Sequence, residues 1–210
     1  MERDTKLSMS DKGLSKNDLI VSKSKSEFTR DIGITAVCPE PCLIYMSRMP
    51  GVRAKDQAKI DEFNQVLADE VAQMSKAGIK GVVCLLSKDC LKKEGVNLDQ
   101  YKKECFKQGI QFFNYHIKSM KAPSDTPADL NIKLIDPLVD FVKATGPVLV
   151  HCKNGIGRAG TVAACLMARL AVFDDVKSMI EHLRLVRHKN CVQSGEQEAY
   201  VHAYTKCLNK

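Results

Sequence analysis

The stretch Val148-Leu149-Val150-His151-Cys152-Lys153-Asn154-Gly155-Ile156-Gly157-Arg158-Ala159-Gly160-Thr161 decides how the rest of the chain is read. Three apolar residues make a short buried strand, two glycines permit a tight turn, and an apolar helix pattern follows from Thr161 to Phe173. In such a turn successive backbone N–H groups point inward, and the helix N-terminus adds the positive end of its dipole. Together these form a cradle for a tetrahedral dianion. Arg158, six residues after Cys152, returns to the cradle, where its planar fork can hold two anion oxygens at once. The same field favours the thiolate of Cys152, the nucleophilic form of cysteine. The sequence thus predicts Cys152 as attacking atom. Lys153, Asn154, Gly155, Ile156, Gly157 and Arg158 are the predicted binding residues, which also stabilise charge on the oxygens of the transition state.

Other glycine-rich readings fit less well. Gly155-x-Gly157-x-x-Gly160 has the form of a dinucleotide fingerprint, with Asp174 or Asp175 near the expected distance. Those acids open a helix rather than end a second strand, and no further βαβ half follows. The nucleoside-triphosphate loop needs Gly-Lys-Ser/Thr, which the stretch lacks. A buried cysteine in an ordinary strand–helix turn remains the plain alternative.

Outward from the loop, strands and helices alternate. Ile34–Val37 and Cys42–Tyr45 read as short strands separated by Pro39 and Pro41, and 47–51 as a loop. Ala58–Ala77 carries Ile60, Phe63, Val66, Leu67, Val71 and Met74 at three- and four-residue steps, a helix that Gly78 stops. Gly81–Leu86 suits a buried strand, Leu98–Gln108 a helix and Ile110–Ile117 another strand. Residues 118–126 form a loop, Pro127–Ala144 a helix with Pro in its first turn, and Asp174–Arg187 a helix with Val176, Met179, Ile180 and Leu183 on one face. The expected fold class is α/β, with a mainly parallel central sheet flanked by helices on both faces.

The chain has 210 residues, 44% of them hydrophobic and 27% charged, which suits one domain. Residues 1–30 are polar and rich in Ser, Lys and Asp, and are expected to be a mobile extension to a domain over 31–210. The formal charge of +7 favours anionic partners, phosphoproteins, nucleic acids or lipids, without choosing among them. Nine cysteines at irregular spacings, together with a polar opening from Met1 to Ser10, point to free thiols in an intracellular location, cytoplasmic or nuclear. Cys38-x3-Cys42 and Cys84-x5-Cys90 lack zinc spacing, so no metal is expected. No apolar run reaches the roughly 18 residues needed to span a bilayer, and membrane insertion is not expected.

His-Cys-x5-Arg between a strand and a helix resembles the signature of the protein tyrosine and dual-specificity phosphatases. The resemblance covers most of 40–205 and is strongest for the kinase-associated and cell-division-cycle phosphatase branch. Met49-Pro50-Gly51 with Lys55-Asp56, Lys76–Ile79, Thr161–Leu166, Leu183-Arg184 and Gln193-x3-Gln197 carry that branch. The resemblance implies a protein phosphatase that hydrolyses phosphate monoesters through a phosphocysteine, without cofactor, on phosphoprotein substrates. It makes nucleic acid an unlikely partner. It also implies that Gln193, or failing that Gln197, orients the hydrolytic water. The unexceptional alternative is polar residues of a loop and a helix start.

Two positions depart from the family pattern. The general acid should lie four residues before Pro123, where this chain has Ser119, and serine cannot act as an acid near neutral pH. Asp125 is the nearest carboxylate on that loop, either as a replacement acid or as the cap of the next helix. His116 and Asp129 are weaker candidates. Ala159 stands where many relatives carry a hydroxyl that stabilises the departing thiolate, a loss that Thr161 would offset in part. These departures keep open a phosphoprotein-binding module with weak turnover. Lys153, Lys118 and Lys121 keep open a phosphoinositide or RNA 5′-phosphate substrate; otherwise they form a solvated basic rim.

Overall fold

The computed structural model describes residues 32–39, 41, 43–51 and 60–208, with the side chains of 60–64 left aside. The predicted extension over 1–30, and Lys55-Asp56, lie outside the described residues. Five strands form one sheet in the order β1-β2-β5-β3-β4: β1 (Thr35–Ala36), β2 (Ile44–Ser47), β3 (Gly81–Cys84), β4 (Gln111–Asn114) and β5 (Val148–His151). Only the β1–β2 pair is antiparallel; the other pairings are parallel. The expected mainly parallel α/β sheet is therefore observed.

β5 occupies the middle. Val148 lies between Ile44 and Gly81, and His151 between Ser47 and Cys84. All four β5 residues are buried. Alternation sends Val148 and Val150 to one core and Leu149 to the other. Helices α4 (Pro127–Leu130), α5 (Asp136–Ala144), α6 (Gly157–Arg169), α7 (Val176–Val186) and α8 (Gly195–Leu208) supply the first core. Helices α1 (Ile60–Lys76), α2 (Lys88–Lys93) and α3 (Leu98–Lys107) supply the second. Gly81 allows this closeness on one face, since a Cβ there would sit 2.8 Å from the Phe141 ring and 3.0 Å from Val148.

Several boundaries differ from expectation for identifiable reasons. α6 begins at Gly157, four residues before Thr161, so Arg158 belongs to its first turn. The predicted Pro127–Ala144 helix contains a π-turn at Asn131–Ile135. Pro137 follows it and lacks the N–H that a regular ladder needs. α7 starts at Val176, with Asp175 as its N-cap accepting from Ser178 N at 2.9 Å. α2 and α8 are additions to the expected set. No described helix is long and apolar enough to cross a membrane.

β5 and α3 meet through a buried polar chain. The Tyr101 hydroxyl lies 3.1 Å from His151 Nε2, and His151 Nδ1 lies 3.2 Å from the Cys152 carbonyl oxygen. A carbonyl only accepts, so Nδ1 carries the proton and Nε2 accepts from Tyr101. Burial pushes the His151 imidazole from 6.5 down to about 4. The unfolded chain binds a proton here below pH 6.5, whereas the folded chain resists it until about pH 4. Stability from this group is therefore complete above pH 6.5 and declines as pH falls through that window, by about 3 kcal/mol in all. Urea titrations at pH 7.5, 6.0 and 5.0 should show this fall, and His151→Gln should flatten it. An equal decline in the variant would assign it to other groups.

Candidate active site

Cys152 follows directly on β5 and is 3% exposed at the base of its loop. The loop is built by backbone contacts on its outer side. Gly155 has φ +63°, and a Cβ there would lie 2.0 Å from the Ser47 carbonyl oxygen, so only glycine fits against the end of β2. Met49 N donates to the Lys153 carbonyl at 3.1 Å, and Gly160 N to the Ile156 carbonyl at 3.1 Å. Arg187 Nε donates to the Gly155 carbonyl at 3.0 Å, and the Cys191 thiol to the Ile156 carbonyl at 3.3 Å. The carbonyls of 153, 155 and 156 are thus engaged from outside.

Arg158 is 8% exposed and donates through Nη1 to the Ile117 carbonyl at 3.1 Å. Its guanidinium therefore joins the Cys152 loop to the end of the β4 segment, where the 118–126 loop begins. Lys153 is ion-paired with Glu94 at the C-terminus of α2. Asn154 is exposed.

The 118–126 loop places the remaining candidates. Ser119 and His116 are exposed. Asp125 is ion-paired with Lys133 and accepts from the Tyr115 hydroxyl. Its main-chain carbonyl accepts from the Tyr200 hydroxyl at 2.9 Å. The Lys133 bond, with that from Tyr115, holds the Asp125 carboxyl below the usual carboxylate range, so it carries no proton at neutral pH. It does not cap the next helix; Thr126 does, accepting from Asp129 N at 3.2 Å, and Asp129 in turn accepts from the Thr126 hydroxyl.

Gln193 and Gln197 both stand over the loop. A Cβ on Gly157 would meet Gln197 Oε1 at 2.9 Å and the Gln193 side chain at 3.1 Å. Gln197 is 1% exposed, and its amide is engaged. Oε1 accepts from Gln193 N at 2.9 Å and Ser194 N at 3.2 Å, and Nε2 donates to the Lys121 carbonyl at 3.0 Å. Gln193 is exposed. Glu196 accepts from Ala122 N at 3.2 Å and pairs with Lys121 at 2.8 Å. The Ser194 hydroxyl donates to the Met120 carbonyl at 3.1 Å. The start of α8 and the 118–126 loop are therefore stapled together.

Thr161 donates its hydroxyl to the Gly157 carbonyl, one turn back, at 3.0 Å. It is fully buried, so the partial substitution for Ala159 expected of it uses a donor already spent. Tyr101, Glu94, Arg187, Tyr115, Lys133 and Glu196 were not among the sequence candidates. Each is an ordinary residue type on a distant element with no local pattern to mark it; for Arg187, only a position just past the end of an amphipathic helix hinted at a role.

The chain matches a family model described as PTP-SAK, Swiss Army Knife protein, DSP-PTPase phosphatase domain, over residues 62–201. Cyclin-dependent kinase inhibitor 3 of Rattus norvegicus is 25% identical over 162 residues, covering 75% of this chain and 72% of the relative. The Homo sapiens protein of that name is 24% identical over 159 residues, with the same coverage. A solved structure of kinase associated phosphatase, its catalytic-site cysteine replaced by serine, superposes with a TM-score of 0.69 at 22% identity, over 88% of this chain and 98% of that one. With a Cys-x5-Arg loop carried on the central strand of the matched region, the chain belongs to the dual-specificity and tyrosine phosphatase family and is a cysteine-dependent protein phosphatase.

Proposed function

We propose that this chain hydrolyses phosphoprotein monoesters through a phosphocysteine at Cys152, with a slow second step. The observation that carries this is the Cys152–Arg158 loop, whose carbonyls are engaged from outside. Its N–H groups and the Arg158 fork are then the donors left for the phosphoryl oxygens. The Cys152 thiolate attacks phosphorus, the S–P bond forms and the P–O ester bond breaks. Water then attacks the same phosphorus, the S–P bond breaks, the thiolate returns and inorganic phosphate leaves. The exposed Gln193 over Gly157 is the group that orients this water.

The second step is slow because Ala159 offers the departing thiolate no hydroxyl and the Thr161 hydroxyl is committed to Gly157. The first step has no acid at Ser119. Asp125, the replacement raised by sequence, is held ionised, and we assign it to anchoring the loop through Lys133 and Tyr115. Leaving groups acidic enough to depart unprotonated, such as aryl oxygens, are therefore the favoured substrates. Lys153 and Lys121 are matched by Glu94 and Glu196, which favours a phosphorylated side chain over a phosphoinositide or RNA 5′-phosphate. The relatives' names associate them with kinases, so a phosphorylated kinase is the first substrate to try. The described cysteines are all free thiols, which supports a reducing, intracellular compartment, cytoplasmic or nuclear.

The deciding experiment is rapid-mixing kinetics on an aryl phosphate. Wild type should release a stoichiometric burst of phenol followed by slow turnover, and Cys152→Ser should show neither. A chain inert in both forms would be a phosphoprotein-binding module instead. Gln193→Ala should leave the burst rate unchanged and lower the steady rate by about 10²-fold, the scale of misplacing a reacting water. Asp125→Asn should retain the pH–rate profile of wild type while melting at lower temperature. Loss of the high-pH limb, with a fall of about 10²-fold, would restore Asp125 as the acid.

A further inference from the structure

We propose that the exposed faces of α2 and α3 form a docking surface for an acidic segment of the substrate protein, beside the phosphate loop. This rests on the protein-phosphatase reading and extends it to what surrounds the phosphorylated residue. Lys92 and Lys93 on α2, and Lys102 and Lys103 on α3, are exposed. None has a carboxylate within ion-pair distance among the described residues, whereas Lys88, Lys107, Lys121, Lys133 and Lys153 all do.

The two helices present these charges together. Lys88 and Asp99 approach to 3.9 Å and join the exposed side of one helix to that of the other. Lys92 lies one turn along from Lys88, and Lys102 and Lys103 one turn along from Asp99. Phe106, a further turn along α3, is 85% exposed. At the other end Glu94, next to Lys93, pairs with Lys153 of the phosphate loop. A basic band with one aromatic side chain therefore begins at the rim of the site.

Charge complementarity selects an acidic occupant, and adjacency to Cys152's loop selects one continuous with the phosphorylated residue. Asp89 and Asp99 interrupt the band. A band so interrupted, with Phe106 beside it, suits a short acidic peptide carrying an apolar residue, and not the unbroken negative field of a membrane or duplex.

The test uses the full chain and two phosphotyrosine peptides. Each has a flank of about 12 residues, long enough to extend roughly 40 Å. The flanks differ only in carrying four Asp or four Asn. Wild type should show a KM about tenfold lower for the acidic peptide, the product of several weak exposed pairs, and the difference should shrink at 0.5 M salt. Lys92→Glu/Lys93→Glu/Lys102→Glu/Lys103→Glu should abolish the preference while kcat/KM on an aryl phosphate stays within about twofold, as expected for sites outside the reaction centre. Lys143→Glu/Lys177→Glu, on other helices, should keep the preference. Equal KM values for the two peptides in wild type would overturn the proposal, as would loss of the preference in the Lys143/Lys177 variant. Tight binding of phosphatidylserine vesicles at the same lysines, with no peptide preference, would assign the face to a membrane instead. If the aryl phosphate is not turned over at all, peptide affinity for Cys152→Ser by anisotropy still reads the docking surface on its own.

Discussion

The carbonyl oxygen of Ser47 leaves no room for a side chain at Gly155, and much of the site depends on that backbone-to-backbone contact. It presses the turn against the end of β2, where Met49 N can reach the Lys153 carbonyl. Arg187 completes the arrangement. It donates to the Gly155 carbonyl, to the Gly33 carbonyl and to Thr35 Oγ1 at 2.9 Å, so one guanidinium gathers the turn, the edge strand β1 and the end of α7. With the carbonyls drawn outward, the peptide planes of the turn present their N–H edges inward. That orientation is the one the proposed capture of a phosphoryl group requires of the backbone.

His151 does the corresponding work from below. A neutral buried imidazole needs both nitrogens satisfied, and leaving either bare would cost about 1–3 kcal/mol. Tyr101 satisfies one and the Cys152 carbonyl the other. Because the Cys152 carbonyl is engaged downward, it is kept from facing an anion held in the loop. Tyr101 is itself fully buried, with Phe112 edge-on at 4.9 Å, so the orientation of the cysteine is transmitted from α3 and β4 through packed rings.

The strand–turn–helix unit, the parallel sheet and the residues from Cys152 to Arg158 were legible because each leaves a local trace: an apolar run, a glycine pair, a fixed spacing. The rest of the site was not, for physical reasons that differ by case. α8 hides because its buried face opens with Gln197 ahead of Val201 and Tyr204, so the apolar repeat starts late. α2 is a single short helix with only Leu91 buried. α6 begins earlier than its apolar pattern because Gly157 and Gly160 look like helix breakers. Yet a Cβ at Gly160 would lie 2.8 Å from Cys191 Sγ, so glycine is there for approach, not for a bend. Asp125 resembles both an acid and a cap in sequence because the actual cap, Thr126, is adjacent, and its ion partner Lys133 lies eight residues on, past a helix start.

The staple between the start of α8 and the 118–126 loop fixes both segments to one another. Here the loop bears Ser119 and is bonded to Ser194, Glu196 and Gln197 through the backbone of 120–122. Met120 and Val192, on the two stapled segments, both have positive φ, 62° and 58°, a conformation uncommon for any residue but glycine and one that β-branched Val192 adopts only under outside constraint. The bonds that join the two loops supply that constraint. Gln193 depends on the same staple, since its N–H is bonded to Gln197, whose other end holds Lys121. The 118–126 loop is thus a wall against which the Gln193 segment is set. The Cys152–Arg158 loop and the segment that carries Gln193 are thus held by contacts that need no carboxylate at position 119.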